Sequence, residues 1–252
     1  LLVGALVIGP SFPHLIKGLT STLHWKIVLW STSSLAFVGG LLMFTLVPNG
    51  PYRKPGQKLD LSAFFKVFEN RDFRSAAFGY FGHMWELYAF WAFVPVILTT
   101  YADVHPESIP NVPFLSFSII GIGGIACVIG GYVSLKAGAK KTAAVALLLS
   151  CLCCVASPLM LGSDSIIIIV AFLLFWGMVV VADSPLFSTL VDRNAPAESK
   201  GTAPTIVNCI GFSITIISIQ ILVALKDFIN PTYLFLILAL GPFLGLMALY
   251  RK

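Results

Sequence analysis

Charge is what this chain has least of. Only 11% of its 252 residues are Asp, Glu, Lys or Arg, which is 16 basic and 11 acidic side chains. An ordinary soluble domain carries about 25%. So few charges could not cover the surface of a soluble globule, and that excludes a cytosolic enzyme, a nucleic-acid module and a disordered chain. Polar segments large enough to form a soluble domain are also lacking, which leaves no room for a signalling or scaffold role. Nothing resembles a nucleophile elbow, a phosphate loop or a zinc-protease motif. The five cysteines, Cys127, Cys151, Cys153, Cys154 and Cys209, all fall in apolar runs. They read as small residues at helix contacts, with no disulfide, metal or cofactor expected.

What is present in excess is apolar sequence: 58% of residues are hydrophobic, and the mean hydropathy is +0.92. It comes in helix-length blocks, not in the alternating stretches of a β-barrel. A helix needs about 20 residues to cross a bilayer. By that measure eight spans are expected, at 1–16, 27–47, 73–100, 113–135, 141–161, 166–190, 203–225 and 231–250. Turn residues separate most of them, such as Asn49-Gly50-Pro51, Gly162-Ser163-Asp164 and Asn230-Pro231. The chain begins with Leu1 inside an apolar run, without the basic start of a signal peptide. It reads as a fragment lacking upstream sequence, and alone it is not expected to transport anything.

The longest connection is 48–72. Leu61, Phe64, Phe65 and Phe68 recur there at helical spacing, so a short amphipathic interfacial helix inside a linker is expected. Lys and Arg set the orientation. With the C-terminus inside, the inner set is Arg53, Lys54, Lys58, Lys66, Arg71, Arg74, Lys136, Lys140, Lys141, Arg193, Lys200, Arg251 and Lys252. Only Lys17, Lys26 and Lys226 fall outside, a split of 13 to 3 among the 16 basic residues.

Ionisable groups at membrane depth are costly and point to function. His83 and Glu86 stand three residues apart in the third span, so they share a face. Glu86 lies about 20 Å from the span's inner end at ~1.5 Å per residue. The two read as candidates for proton coupling or substrate contact, with Trp85 and Tyr88 beside them. A buried pair that only fixes helix packing is the competing reading. Pro95 should kink the same span and free the carbonyl of Trp91, a candidate outer gate. Asp183 and Pro185 form the second set, a carboxylate beside a broken helix and a candidate inner gate. Asn208 would lie at the depth of Asp183 and hydrogen-bond to it if the helices touch.

Several runs carry a family resemblance. Gly9-Pro10 resembles the Gly-Pro of the fifth-helix motif of the major facilitator superfamily, with Pro13 where glycine is expected. Gly131-Tyr-Val-Ser-Leu-Lys136-Ala-Gly138-Ala-Lys140-Lys141 resembles that family's cytoplasmic loop motif, with Leu135 in place of Asp. The run Gly79 to Tyr88 is similar to the seventh helix of a bacterial nitrate/nitrite- or cyanate-transporter-like subgroup. Ala182 to Ser188 and Asn208 to Phe212 also look like that subgroup, though the seventh span lacks the glycine-rich nitrate signature.

The resemblance implies an all-α helical bundle with eight of twelve spans. Residues 1–47 would be the last two helices of the N-terminal half, 48–72 the basic cytoplasmic linker, and 73–252 the C-terminal six-helix half. It also implies a multi-pass secondary active transporter in a bacterial cytoplasmic membrane, monomeric when full length. Alternating access would move a small solute, a small anion among the candidates, with a proton as coupling ion. An intramembrane enzyme using His83 and Glu86, or a channel, are the rival readings, and neither shows its expected motifs.

Overall fold

The computed structural model describes residues 9–20, 22–48, 63–105 and 111–251. These form α1 (Gly9–Leu19), α2 (Lys26–Leu46), α3 (Ala63–Lys66), α4 (Arg71–Val104), α5 (Val112–Gly121), α6 (Gly123–Ala137) and α7 (Ala139–Leu161). They continue as α8 (Ile166–Ala182), α9 (Ser184–Asn194), α10 (Ala203–Leu225), α11 (Pro231–Leu234) and α12 (Leu240–Tyr250). Among the described residues seven helical stretches are long and apolar enough to cross a membrane. Half of the eighth expected span, 1–16, lies outside the described residues, and its residues 9–16 fall in the 11-residue α1.

Three expected spans are interrupted, each at a residue that weakens a helix. Span 113–135 divides into α5 and α6 at Ile122, which stands between Gly121 and Gly123. Span 166–190 extends to Asn194 and divides at Asp183. There Pro185 has no N–H for the carbonyl of Val181. In the last span a tight 3₁₀ stretch, Phe235–Ala239, precedes α12. Pro242, with no N–H for Leu238, follows directly. The third span, in contrast, is longer than expected. It is α4, 34 residues that run without interruption through Pro95. At ~1.5 Å per residue it measures about 50 Å, well beyond the roughly 30 Å hydrocarbon core. Asn70 caps it by accepting from the Phe73 N–H at 3.0 Å.

The linker helix ends before Phe68, the last residue of its apolar spacing. Its described part is one turn, α3, followed by non-helical backbone up to Asn70. Phe65 is exposed, and Phe68 packs edge-on against Phe73 at 5.6 Å between ring centres. Leu61 lies outside the described residues.

α4 is the central post. Its first turns sit beside the end of α12, where Ser75 Oγ donates to the Ala248 carbonyl at 2.9 Å and Arg71 Nη2 to that of Arg251 at 3.4 Å. At its other end Tyr101 donates to the Asp164 carbonyl, between α7 and α8, at 2.6 Å. Midway, α4 and α12 touch through glycines: a Cβ added at Gly241 would stand 2.6 Å from the Gly82 oxygen. In lipid, where apolar burial adds little, such backbone approach and interhelical hydrogen bonds hold helices together. α1 packs on α5, and Asn111 Nδ2 donates to the Gly18 carbonyl at 3.1 Å. α2 has no buried residue and presents its apolar side chains outward.

Buried apolar side chains form two clusters, one on each side of the middle of α4. One includes Phe73, Ala77, Tyr80, Met84, Leu147, Phe187 and Leu249. The other includes Leu87, Phe90, Val94, Leu98, Leu173, Trp176 and Phe235. His83 and Glu86 lie where α4 passes from one cluster to the other, and both are buried with Ser150 and Asp183.

Candidate functional site

The polar layer is built by α4 and two neighbours. His83 turns toward the break between α8 and α9, where its Nδ1 stands 2.9 Å from Asp183 Oδ1. Both side chains are 1% exposed. Tyr80 and Phe187 lie on either side, each ring centre 6.0 Å from that of His83. His83 Nε2 and Asp183 Oδ2 are buried and have no hydrogen-bond partner among the described residues. A buried imidazole–carboxylate pair with two open polar atoms can hold, accept or pass a proton at those atoms.

Glu86, one turn on, takes a different direction. Its carboxylate accepts from Trp176 Nε1 at 2.6 Å, from Cys154 Sγ at 3.2 Å and from Ser150 Oγ. These donors come from α7 and α8, so one side chain ties three helices together. None of the three is a cation. The arrangement spreads the carboxylate's hydrogen-bonding capacity over neutral groups and leaves it closed on all sides.

The broken helix also finds a partner for its freed carbonyl. Cys127 Sγ, on α6, donates to Val181 O at 3.4 Å. Asp183 thus sits at a junction held from α4 by His83 and from α6 by Cys127.

The other expected site residues separate. Asn208 does not pair with Asp183; its Oδ1 accepts from the Tyr80 hydroxyl at 3.0 Å. Tyr80, one turn before His83 on α4, is the side chain that reaches Asn208 on α10. Trp85 faces α12 and donates to the Ile237 carbonyl at 3.2 Å. Tyr88 is half-buried against Trp91 and Phe212, at 5.2 and 5.5 Å between ring centres. Pro95 stays inside continuous helix, and Pro185 lies in the first turn of α9. A cavity of about 50 Å³ lies beside Tyr80 and Asn208, with Ser188 and Pro204 also lining it. That is space for one or two waters at ~30 Å³ each.

Ser150, Cys154, Trp176, Tyr80 and Cys127 complete the site, yet the sequence does not single them out by charge. The available signal is spacing: Ser150 and Cys154 stand four residues apart on one face of an apolar helix.

Seven helices long and apolar enough to cross a membrane, among the described residues, define a multi-pass helical membrane protein. The chain belongs to the Major Facilitator Superfamily, whose model it matches over residues 1–219. Among curated proteins, none matches the chain.

Proposed function

We propose that this protein is a secondary active transporter that moves a small solute by alternating access, driven by protons that load on the His83–Asp183 pair. The observation that carries the reading is that pair, buried at a helix break with His83 Nε2 and Asp183 Oδ2 open. A charge change there alters the contact between α4 and the α8–α9 junction, an irregular backbone of the kind that lines transport paths. A small cavity lies beside Tyr80, one turn before His83 on α4 and so nearer the end of the bundle that carries Arg71 and Arg251. We assign that end to the cytoplasm, because the basic residues gather there. The subgroup resemblance of residues 79–88 makes small anions the first solutes to test.

Glu86, closed by three donors, anchors α4 against α7 and α8 and positions the coupling pair. Residues 48–72 join two bundles in this reading.

The test is uptake into proteoliposomes that hold the full-length protein, under an imposed proton gradient, beside solute exchange without a gradient. In Asp183→Asn the gradient should no longer drive accumulation while exchange continues. Gradient-driven accumulation at the normal level in that variant would remove the pair from coupling.

A further inference from the structure

A second cavity lies far from the polar layer, at the end of α4 away from Arg71. Its volume is about 210 Å³, and it is walled by the last turns of α4, the α7–α8 connection, and the chain from Pro231 to Phe235. We propose that it is a binding site for a small organic cation, an ammonium group carried on a single ring.

The volume corresponds to about seven waters at ~30 Å³ each, which suits one ring with a short side chain. Ile97 and Phe235 supply apolar wall. Tyr101 and His105 present a stacked ring pair, 4.4 Å between centres and 20° between planes. Asp164 lines the same cavity and is exposed. His105 Nδ1 is buried without a hydrogen-bond partner among the described residues.

Each polar feature asks for the same kind of guest. Aromatic faces carry negative potential and attract cations. The Asp164 carboxylate adds a full negative charge and opposes anions. No Lys or Arg is among the described residues that line the cavity. A purely aliphatic guest would fill the space but leave Asp164 unmatched.

The experiment is calorimetric titration of the protein in lipid nanodiscs with benzylamine in its ammonium form, with empty discs subtracted. Benzyl alcohol and benzoate serve as neutral and anionic controls of the same size. Saturable 1:1 binding of the ammonium is expected, at least about tenfold tighter than the alcohol, with none for benzoate. Asp164→Asn keeps the main-chain carbonyl that accepts from Tyr101, so the cavity stays built. It should weaken the ammonium about tenfold and leave the alcohol unchanged. Benzoate binding as tightly as the ammonium, an Asp164→Asn variant that binds the ammonium normally, or no saturable heat at all would overturn the proposal. The readout is binding alone, so failure of the transport reading leaves it standing, and the reverse holds too.

Discussion

His83 and Asp183 are a hundred residues apart in the chain, yet Nδ1 and Oδ1 stand 2.9 Å apart inside the bundle. Removing one partner of a buried pair leaves the other uncompensated, at a cost of about 3–5 kcal/mol, whereas replacing both with apolar groups is often neutral. His83→Leu should therefore lower thermal stability in detergent strongly, and His83→Leu with Asp183→Leu should recover most of the loss. Single and double variants of equal stability would show that the pair does not hold the structure together.

Glu86 is set up to fail in a different way. In Glu86→Leu both acceptor oxygens are lost, and Trp176, Cys154 and Ser150 would face an apolar side chain. The Trp176 N–H, which can only donate, is left unmatched, which costs about 1–3 kcal/mol. The expected outcome is a lower melting temperature, with proton-driven accumulation still present in the protein that remains folded. A variant that melts normally but loses only accumulation would move Glu86 from anchor to coupling group.

The contact of Cys127 with Val181 predicts a dependence on Pro185. The thiol donates to the Val181 carbonyl, which also accepts the Asp183 N–H at the helix end and lacks its usual helical partner because Pro185 has no N–H. Cys127→Ala should cost roughly 0.5–1 kcal/mol in the native background. In Pro185→Ala the backbone can supply the missing bond, so the same cysteine substitution should cost less. Identical costs in the two backgrounds, measured by thermal denaturation, would show that the thiol is only filling space.

The glycine contact between α4 and α12 should tolerate almost nothing. At Gly241 a Cβ would stand 2.6 Å from the Gly82 carbonyl oxygen and equally close to the Trp85 side chain. Gly241→Val should separate the helices at an overpacking cost of about 1–3 kcal/mol or more. Gly131, with open space around it, serves as control: Gly131→Ala should leave stability nearly unchanged.

The outline of the bundle was readable because lipid-length apolar runs leave few alternatives. Span 203–225 coincides with α10, and the membrane-depth charges stood out against their apolar surroundings. The directions of those charges were not readable. Three residues along a helix place His83 and Glu86 about 60° apart around the axis. That difference sends one side chain to Asp183 and the other to Trp176. Spacing alone says that the two share a face. It cannot say that two other helices divide that face between them. Asn208 shows the same limit. Its depth matches Asp183, but Tyr80 intercepts it, because lateral position comes from packing and not from depth. The donors to Glu86 were hidden because Ser, Cys and Trp are ordinary in apolar helices, and only a carboxylate opposite them gives them a role.

The interruption at Asp183 also has a mechanical consequence. Beyond it, α9 is a straight arm of 11 residues ending near Arg193. At ~1.5 Å per residue the arm is about 16 Å long, so a tilt of roughly 10° at its root sweeps its tip through about 3 Å. The pivot is where the single proton-sized event would take place, and the tip is at the basic end of the bundle. In the proposed reading, a small change at the Asp183 break would thus be magnified along α9 toward that end.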